Sequence, residues 1–389
     1  ILVLLLGGWH LLAMADAANG IGRGLRGRTR VVFGALALVV IGLHGWSGYV
    51  AYSFWDAGTH IFSGDTGPDS TAPPLPSAAT VSAGAATPDL LQATPFATPP
   101  TATSRITILL SGIDSAPGRQ HALTDTLMVV SIDPTTKRVA MVSVPRDVAG
   151  FPLYDGRTFD GKINSLMSWA QAHPSEFPDG PLPTVIREIG YIVGVPIQYF
   201  AAVDLYGFRR LIDAVGGVTV NVERPIDDPV YDWLDGSPQG FHLAAGPQRL
   251  DGRLALAYVR SRYGAGDNDF TRAHRQQQLL LALRDRFADP AMLPRLPELI
   301  QIAGDTVRTN FPVERLSEML QLAEQVDRSN VTQVVLSPPT YTVHPPDDQT
   351  GGTYVLRLQL DVIARLSVQL FGNDSRYSGG AAAASPTAP

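Results

Sequence analysis

The sequence predicts an α/β domain with helices on both faces of a central sheet, preceded by a transmembrane helix. Three observations lead to this prediction. Short apolar runs that end in turn residues alternate with helical periodicity between residues 105 and 372. An uncharged stretch, 31–55, lies ahead of this region. A segment rich in proline, alanine and threonine, 56–104, separates the two.

The uncharged stretch 31–55 is long enough, as an α-helix, to cross a hydrocarbon core of ~30 Å. Aromatic residues cluster in its second half, as in an interfacial belt: Trp46, Tyr49, Tyr52 and Trp55. Arginines cluster just before it: Arg23, Arg26, Arg28 and Arg30. The positive-inside rule therefore predicts that residues 1–30 are cytoplasmic and that everything after residue 55 is extracytoplasmic. We therefore predict that the chain crosses the cell membrane once. Residues 1–14 are also apolar and could be the end of a truncated earlier span, in which case the chain crosses the membrane twice. A buried core helix is the alternative for 31–55.

The segment that follows predicts an extended stalk. Residues 64–104 contain eight prolines, three aspartates and no lysine, arginine or glutamate. Such a composition buries too little apolar surface to offset the entropy lost on ordering. We therefore predict a disordered stalk over 56–104, an extracytoplasmic catalytic domain over 105–288, and a C-terminal part of the same α/β unit over 289–372. Residues 373–389 are predicted to be a disordered tail.

Within 105–372, three apolar runs predict strands: "RITILLSG", "TLMVVSID" and "RVAMVSVPRD". "LPTVIREIGYIVG" has helical periodicity and ends in glycine, which predicts a helix and its stop. "FRRLIDAVGGVTVNV" predicts a helix, a Gly-Gly stop and a strand. "FTRAHRQQQLLLALRDRF" predicts a long helix whose apolar face carries Leu279, Leu280, Leu283 and Phe287.

Composition and motifs argue against several classes of function. The formal net charge of −6 argues against a nucleic-acid binder. The chain has no cysteine, which excludes a disulfide framework, thiolate metal sites and cysteine nucleophiles. Neither an HExxH nor a GxSxG motif is present. "GRTFDGKI" resembles a phosphate-binding loop but has Ile163 where such a loop needs a serine or threonine for Mg²⁺.

Two aspartates flank the first two predicted strands. Asp114 follows the first strand and Asp125 opens the second. If these strands are neighbours, both carboxylates lie at one edge of the sheet. Two oxygen ligands together with substrate phosphates are what Mg²⁺ usually binds, so the pair is a candidate metal site. The alternative is that each aspartate only stabilises a turn.

Arginines concentrate at the end of the third strand and in "YVRSRYGAGDNDFTRAHRQQQ". Pro145 marks the exit of the third strand and would present Arg146 at the sheet edge, although a surface ion pair with Asp147 is the alternative. Arg260 and Arg262 are two residues apart, so on an extended segment both lie on one face.

Further polar residues follow on the next helix. Arg272 and Gln276 are four residues apart and share a helical face, with Arg275 beside them. Asp269 lies just before this helix and could cap it. Guanidinium groups repel one another, so their convergence requires an anion. Arginine suits phosphate because its planar fork makes bidentate, charge-assisted bonds. We therefore expect a diphosphate ligand, with a solvated charged surface as the alternative.

In this order, these elements resemble the LytR–CpsA–Psr (LCP) family of membrane-anchored cell-wall proteins. The resemblance covers residues 112–277. Its motifs are "GID" at 112–114, "DTLMVVSIDP" at 125–134, "SVPRD" at 143–147, "GKIN" at 161–164, "IDAVGGVTVNV" at 212–222, "LDGRLALAYVRSR" at 250–262 and "DFTRAHRQQ" at 269–277.

The resemblance implies a three-layer α-β-α sandwich with a mixed central sheet. It implies an Mg²⁺-dependent phosphoglycosyl transferase that moves a teichoic acid or another glycopolymer from a polyprenyl diphosphate carrier to a sugar hydroxyl of peptidoglycan. By this resemblance Asp114 and Asp125 hold Mg²⁺, and Asp269 is the base for the acceptor hydroxyl, with Arg146, Arg260 and Arg262 as further catalytic residues. The residues implied to bind the donor are Arg146, Lys162, Arg260, Arg262, Arg272, Arg275 and Gln276.

Two other functions use the same residues. One is a non-catalytic protein that binds polyprenyl diphosphate, and the other is a hydrolase that releases polyprenyl phosphate to water. The metal aspartates and Asp269 weigh against simple binding, because binding alone needs no base. The prenyl chain is expected in an apolar groove between sheet and helices, whose residues the sequence does not identify.

Overall fold

The computed structural model describes residues 105–113, 124–312 and 315–378, together with the helical residues 35, 38–42, 44–50, 52 and 53. The predicted cytoplasmic segment 1–30 and stalk 56–104 lie outside the described residues, and the predicted transmembrane helix 31–55 does so in part. Among the residues that are described, no helix has both the length and the hydropathy of a membrane span. Residues 373–378, which the sequence assigns to the tail, are described, and Arg376 N donates to Gly194 O at 2.9 Å.

Within these ranges, six strands form a mixed central sheet. In order across the sheet they are β11 (Val307–Thr309), β6 (Tyr199–Asp204), β1 (Ile106–Ile113), β2 (Thr124–Ile132), β3 (Val139–Ser143) and β12 (Val331–Val335). Strand β2 is antiparallel to both β1 and β3, whereas β6 runs parallel to β1 and β12 runs parallel to β3. The three strands predicted between residues 105 and 147 are therefore confirmed, and the sheet is mixed.

The α-helices lie between and after these strands. They are α1 (Leu166–Ala172), α2 (Pro181–Val193), α3 (Leu205–Ala214), α4 (Gly252–Arg260), α5 (Asp269–Phe287), α6 (Leu296–Thr306), α7 (Leu316–Gln325), α8 (Asp347–Thr350) and α9 (Leu360–Phe371). The predicted helices correspond to α2, α3 and α5. Helix α2 ends at Gly194, whose φ of +85° is the left-handed conformation that suits a glycine stop.

Helices cover both faces of the sheet because side chains alternate along each strand. Leu109, Val129 and Val142 lie on one face, in a core that includes side chains of α1, α2 and α9. Met128 and Met141 lie on the other face, which packs against α5 and α7. The domain is therefore an α-β-α arrangement.

A smaller lobe lies beside this sandwich, and the sequence did not predict it. Strand β7 (Val218–Val222) pairs with β10 (Gly246–Leu250), and β8 (Ile226–Asp228) pairs with β9 (Phe241–Leu243). These ribbons share a core with α3, α4, α6 and one side of α5. The strand predicted in "GVTVNV" is confirmed as β7, but its alternation of buried and exposed residues suits a two-stranded ribbon with one wet face.

Two more antiparallel pairs complete the described strands. Strand β4 (Ala149–Pro152) pairs with β5 (Thr158–Lys162), and β13 (Thr342–Val343) pairs with β14 (Arg357–Leu358). The C-terminal part of the chain also reaches β4, because Val148 forms a parallel bridge with Leu356. Residues after 288 therefore contribute to the sheet, to its helical cover and to the region around residue 148.

Strands β1, β3, β6 and β12 end at the same edge of the central sheet, and polar residues follow β1 and β3 there. Ile113, at the end of β1, pairs with Thr124 at the start of β2 and with Asp204 at the end of β6. Ser143, at the end of β3, pairs with Met128 of β2 and with Val335 at the end of β12. Residues that follow β1 and β3 therefore emerge at the same edge.

Helix α5 is fixed to this sheet by Gln277. The side chain of Gln277 is fully buried. Its Nε2 lies 2.9 Å from Ser143 Oγ and 2.8 Å from Val334 O, so it joins the helix to the ends of β3 and β12. Because the same helix begins with Asp269, Gln277 sets where that end of the helix lies relative to the sheet edge.

We predict that Gln277→Ala lowers the free energy of unfolding by about 1–3 kcal/mol, because buried acceptors lose their donor. Gln321→Ala is the matched control: it makes the same chemical change at an exposed position of α7 and should change the stability by less than about 0.5 kcal/mol. Urea denaturation of the two variants measures the difference. Equal stability of both variants would show that the amide does not hold the helix to the sheet.

Candidate active site

The site is organised around Asp269, the first residue of α5. The expectation that Asp269 caps this helix is wrong. Asn268 is the N-cap: its side chain accepts hydrogen bonds from Phe270 N and Thr271 N, both at 2.9 Å, and Asn268 N donates to Thr271 Oγ1. Because Asn268 satisfies the helix end, the carboxylate of Asp269 is available to other side chains.

Three guanidinium groups surround the Asp269 carboxylate. Arg272 Nη1 is 3.2 Å from Oδ1, and Arg262 Nη1 is 3.6 Å from the same oxygen. Arg146 Nε is 3.4 Å from Oδ2. The three arginines come from different elements: Arg146 follows β3, Arg262 follows α4 and Arg272 belongs to the first turns of α5. The convergence predicted from sequence is therefore present, and an internal carboxylate lies at its centre.

A second carboxylate extends the cluster to Lys162. Asp147 Oδ1 is 2.5 Å from Lys162 Nζ, and its Oδ2 is 3.6 Å from Arg146 Nε. Arg146 thus lies between Asp147 and Asp269, so its pairing with Asp147 is one part of a larger cluster. Asp147 and Asp269 thus join Lys162 and the three arginines into one cluster.

Arg260 occupies a different position from the one expected. It is the last residue of helix α4, not part of an extended segment, because the helical run continues through "LALAYV". Its guanidinium lies 5.9 Å from the centre of the Tyr231 ring. Burial raises the pKa of Tyr231, and the charge of Arg260 opposes that rise. Nη1 of Arg260 is buried and has no hydrogen-bond partner among the described residues, so it could serve an added anion.

Arg275 contacts the chain between α4 and α5, and Gln276 contacts the end of α4. Arg275 Nη1 is 3.2 Å from Asp267 Oδ2, and its Nη2 donates to Ser261 O. Burial lowers the pKa of Arg275, and the Asp267 carboxylate opposes that change. Gln276 Nε2 donates to Val259 O at 3.3 Å. Arg275 therefore holds the connection that carries Arg262, whereas Gln276 joins α5 to the last turn of α4.

Asp228 anchors the same connection from the smaller lobe. It is only 1% exposed, and its Oδ2 accepts hydrogen bonds from Ser261 Oγ at 2.8 Å, Arg262 N at 3.1 Å and Tyr263 N at 3.2 Å. A buried carboxylate with three donors fixes the backbone on both sides of Arg262. Asp228 therefore sets where the Arg262 side chain begins.

Sequence reasoning missed Asp228 and underestimated Asp147. Asp228 acts on a segment more than thirty residues away, and its neighbour Asp227 is identical in type, so no local pattern distinguishes it. The sequence alone indicates only that Asp147 could form a surface ion pair with Arg146. The signal for a larger role was the second cation, Lys162, which becomes a neighbour only through the β4–β5 hairpin.

The predicted metal ligands are Asp114 and Asp125. Asp114 lies outside the described residues, and for Asp125 only the backbone is described. Gly112 pairs with Thr126 and Ile113 with Thr124, so Asp125 is the extra residue of a β-bulge beside the end of β1. Val144 N donates to Leu127 O at 2.9 Å, so the chain that leads to Arg146 leaves β3 beside the start of β2. The backbone of Asp125 therefore lies at the edge of the sheet at which β1 ends.

A protein-family model and several known proteins match this sequence. A model of the LytR_cpsA_psr family matches residues 79–372. The polyisoprenyl-teichoic acid–peptidoglycan teichoic acid transferase TagV of Bacillus subtilis is 32% identical over 218 residues, or 56% of this chain. The corresponding TagU of Oceanobacillus iheyensis is 30% identical over 215 residues, or 55% of this chain. The regulatory protein MsrR of Staphylococcus aureus is 32% identical over 212 residues, or 54% of this chain. The aligned parts span 52%, 62% and 57% of these relatives' lengths.

Solved structures show the same fold. The crystal structure of B. subtilis TagV matches with a TM-score of 0.56 and 24% identity, over 69% of this chain and 96% of that one. TagT bound to LIIa-WTA matches with a TM-score of 0.53 and 21% identity, over 70% of this chain and 92% of that one. At this level of identity the likeness establishes the α/β fold with its mixed sheet, as the sequence predicted.

We predict that Asp228→Asn lowers the free energy of unfolding by about 1.5–3 kcal/mol and weakens binding of inorganic diphosphate, because Arg262 loses its anchor. Asp227→Asn is the matched control, since Asp227 is the preceding residue of β8 and its side chain is 78% exposed. Urea denaturation and calorimetric titration measure the two effects. Diphosphate affinity that is unchanged in a destabilised Asp228→Asn variant would limit Asp228 to a role in folding.

Proposed function

The chain belongs to the LytR–CpsA–Psr family, and we propose that it is a membrane-anchored, Mg²⁺-dependent phosphotransferase. It moves a glycopolymer from a polyprenyl diphosphate carrier onto a sugar hydroxyl of peptidoglycan and forms a phosphodiester link. The observation that carries this proposal is the convergence of Arg146, Arg262 and Arg272 on Asp269. Donor and acceptor of this type are named for the relative TagV, which supports the same classes here.

The diphosphate of the donor binds by replacing Asp269 as the partner of the guanidinium groups. Each arginine can turn from one carboxylate oxygen to the phosphate oxygens, which offer more acceptors and more charge. Arg260 adds its unbonded Nη1, and the N-terminus of α5 adds the positive end of the helix dipole. The number of guanidinium groups supports an anionic ligand with several oxygen acceptors.

The reaction breaks the bridging bond of the diphosphate. The acceptor hydroxyl attacks the phosphorus that carries the glycan, and a new oxygen–phosphorus bond forms on peptidoglycan. The electrons of the broken P–O bond leave with polyprenyl phosphate, and the hydroxyl proton passes to Asp269, which the guanidinium groups release when they bind phosphate. Arg146, Arg262 and Arg272 stabilise the charge that spreads over the phosphoryl oxygens in the transition state.

Asp114 and Asp125 are proposed to hold the metal ion. When bound, Mg²⁺ would neutralise part of the diphosphate charge at the sheet edge that also carries Arg146. The Asp125 bulge beside the end of β1 supports this assignment, because β1 ends at Ile113 and Asp114 is the next residue of the sequence.

A lipid-linked donor requires a site close to the membrane. We assign residues 31–55 to a transmembrane helix, 56–104 to a stalk and the folded domain to the outside of the cell membrane. The described residues of the first segment are helical, and three of its apolar side chains are largely exposed: Leu38, Val39 and Ile41. Exposed aliphatic side chains of this kind support contact with lipid.

We predict that Arg262→Ala weakens binding of a short-chain polyprenyl diphosphate by about ten- to a hundredfold, since a charge-assisted contact is lost. Arg262→Lys should restore the affinity only in part, because an ammonium group cannot make bidentate bonds. Arg365→Ala is the control, since Arg365 is 71% exposed on α9. Transfer is measured by mass spectrometry after incubation with a lipid-linked glycan and peptidoglycan oligomers.

Each outcome of that experiment identifies one function. Glycan attached through phosphate to the oligomers indicates a transferase, and polyprenyl phosphate released without attachment indicates a hydrolase. Binding without either product indicates a carrier or sensor. Equal affinity of the wild type, Arg262→Ala and Arg262→Lys would contradict an anion site at the arginines.

We further predict that Asp125→Ala loses most of the transfer activity, and that added Mg²⁺ restores it only in part, because one of two proposed ligands is missing. Asp361→Ala, at a 71% exposed position of α9, should keep full activity. The assay is a titration of transfer activity against Mg²⁺ for both variants. Full activity of Asp125→Ala in the presence of a chelator would show that Asp125 serves only the local backbone.

A further inference from the structure

A segment from the C-terminal part of the chain reaches the arginine cluster. Leu356 N donates to Asp147 O at 2.9 Å, and Ala149 N donates to Leu356 O at 2.9 Å. These two bonds define a parallel pairing of residue 148 with residue 356. Tyr354 lies two residues before Leu356, whose amide bonds Asp147 O, so the segment that carries Tyr354 runs beside Asp147.

The electrostatic surroundings of Tyr354 agree with this register. Burial raises the pKa of the Tyr354 hydroxyl, and the negative charges of Asp147 and Asp269 raise it further. The two carboxylates are those that hold Lys162 and the arginines. The phenol of Tyr354 therefore lies at the border of the candidate active site and stays protonated at neutral pH.

Tyr354 forms an aromatic pair with His344. The ring centres are 4.7 Å apart and the planes are inclined by 34°. His344 is fixed by a hydrogen bond of 2.9 Å from Nδ1 to Val355 O, so Nδ1 carries the proton because a carbonyl oxygen only accepts. Tyr354 is 46% exposed, and much of its ring therefore remains open to a ligand.

A second exposed tyrosine at the site, Tyr263, differs from Tyr354 in that a cation lies beside its ring. Tyr263 is 60% exposed, but the guanidinium of Arg262 lies 4.9 Å from the centre of its ring. That ring already contacts one of the cations that we assign to the diphosphate. Tyr354 has no such cation among its described contacts, so of these two rings it is the better candidate for a neutral ligand.

We propose that Tyr354 and His344 form a subsite for a pyranose ring. C–H groups of a pyranose pack against an aromatic face, and ring hydroxyls can bond the phenol. This inference rests on the proposed function, in which a sugar is attached directly to the diphosphate. Because the charges of Asp147 and Asp269 act on Tyr354 and both carboxylates contact Arg146, the sugar next to the diphosphate of the donor is the expected occupant. A sugar of the acceptor strand has the same chemistry.

The experiment compares three ligands on the full chain in detergent. The ligands are geranyl diphosphate, geranyl diphosphate with N-acetylglucosamine on its terminal phosphate, and a soluble peptidoglycan tetrasaccharide. Tyr354→Ala should weaken binding of the sugar-bearing diphosphate about three- to tenfold and change binding of geranyl diphosphate by less than about twofold. Tyr354→Phe keeps the ring and should retain most of the affinity.

Tyr154→Ala serves as the control, because Tyr154 is a 64% exposed tyrosine at the turn between β4 and β5, beside Tyr191. It should bind all three ligands like the wild type. A selective loss of tetrasaccharide binding in Tyr354→Ala would assign the subsite to the acceptor instead of the donor. Calorimetric titration measures each affinity, and thermal melting checks that each variant is folded.

Two results would overturn the sugar subsite while leaving the proposed function intact. One is an equal loss of affinity for both diphosphates in Tyr354→Ala, which would make Tyr354 part of the anion site. The other is unchanged affinity for all three ligands. If the wild type binds neither diphosphate, the proposed function fails and the subsite fails with it.

Discussion

Mutual repulsion of guanidinium groups is the constraint on which the arrangement of this domain depends. Arg146, Arg262 and Arg272 lie within 4 Å of one carboxylate, Asp269, and none of them could hold this position on a flexible surface. Separate contacts hold Arg146 and Arg262 in place. The end of β3 and the bond from Gln277 fix Arg146 relative to α5, while Asp228 and Arg275 fix the backbone around Arg262. Local charge repulsion is thus balanced by packing and hydrogen bonds distributed over the whole fold.

The internal carboxylates have two opposite effects on binding. Asp147 and Asp269 lower the electrostatic cost of the empty cluster, which stabilises the folded domain without a ligand. The same groups compete with phosphate oxygens for the arginines, so part of the binding free energy is used to displace them. In the proposed function, Asp269 changes from an ion-pair partner into a free carboxylate as the diphosphate binds. In the proposed reaction this is the moment at which a proton acceptor is required.

The sequence predicted those parts of the molecule that depend on short-range patterns. Strands β1 to β3 and helices α2, α3 and α5 follow from apolar periodicity and glycine stops, and the arginines of the site follow from the charge pattern. Errors arose where two local solutions compete. Asn268 and Asp269 can both cap a helix, and Thr271 favours Asn268 through a reciprocal bond. Asp228 and Tyr354 could not be found from sequence, because each meets the site through contacts between distant segments and no periodicity marks them.

Helix α5 packs into the core of the smaller lobe and against one face of the central sheet. This double packing affects how the domain unfolds locally. Leu279 packs into the smaller lobe, whereas Leu280 and Leu281 pack on the sheet. A partial opening that frees the smaller lobe releases Arg262 from Asp228 and removes half of the support of α5, while the central sheet stays folded. In the proposed function, the anion site is therefore intact only while the smaller lobe and the sheet are both folded. A bound diphosphate stabilises that state by mass action, so slow hydrogen exchange in the smaller lobe becomes a measure of site occupancy.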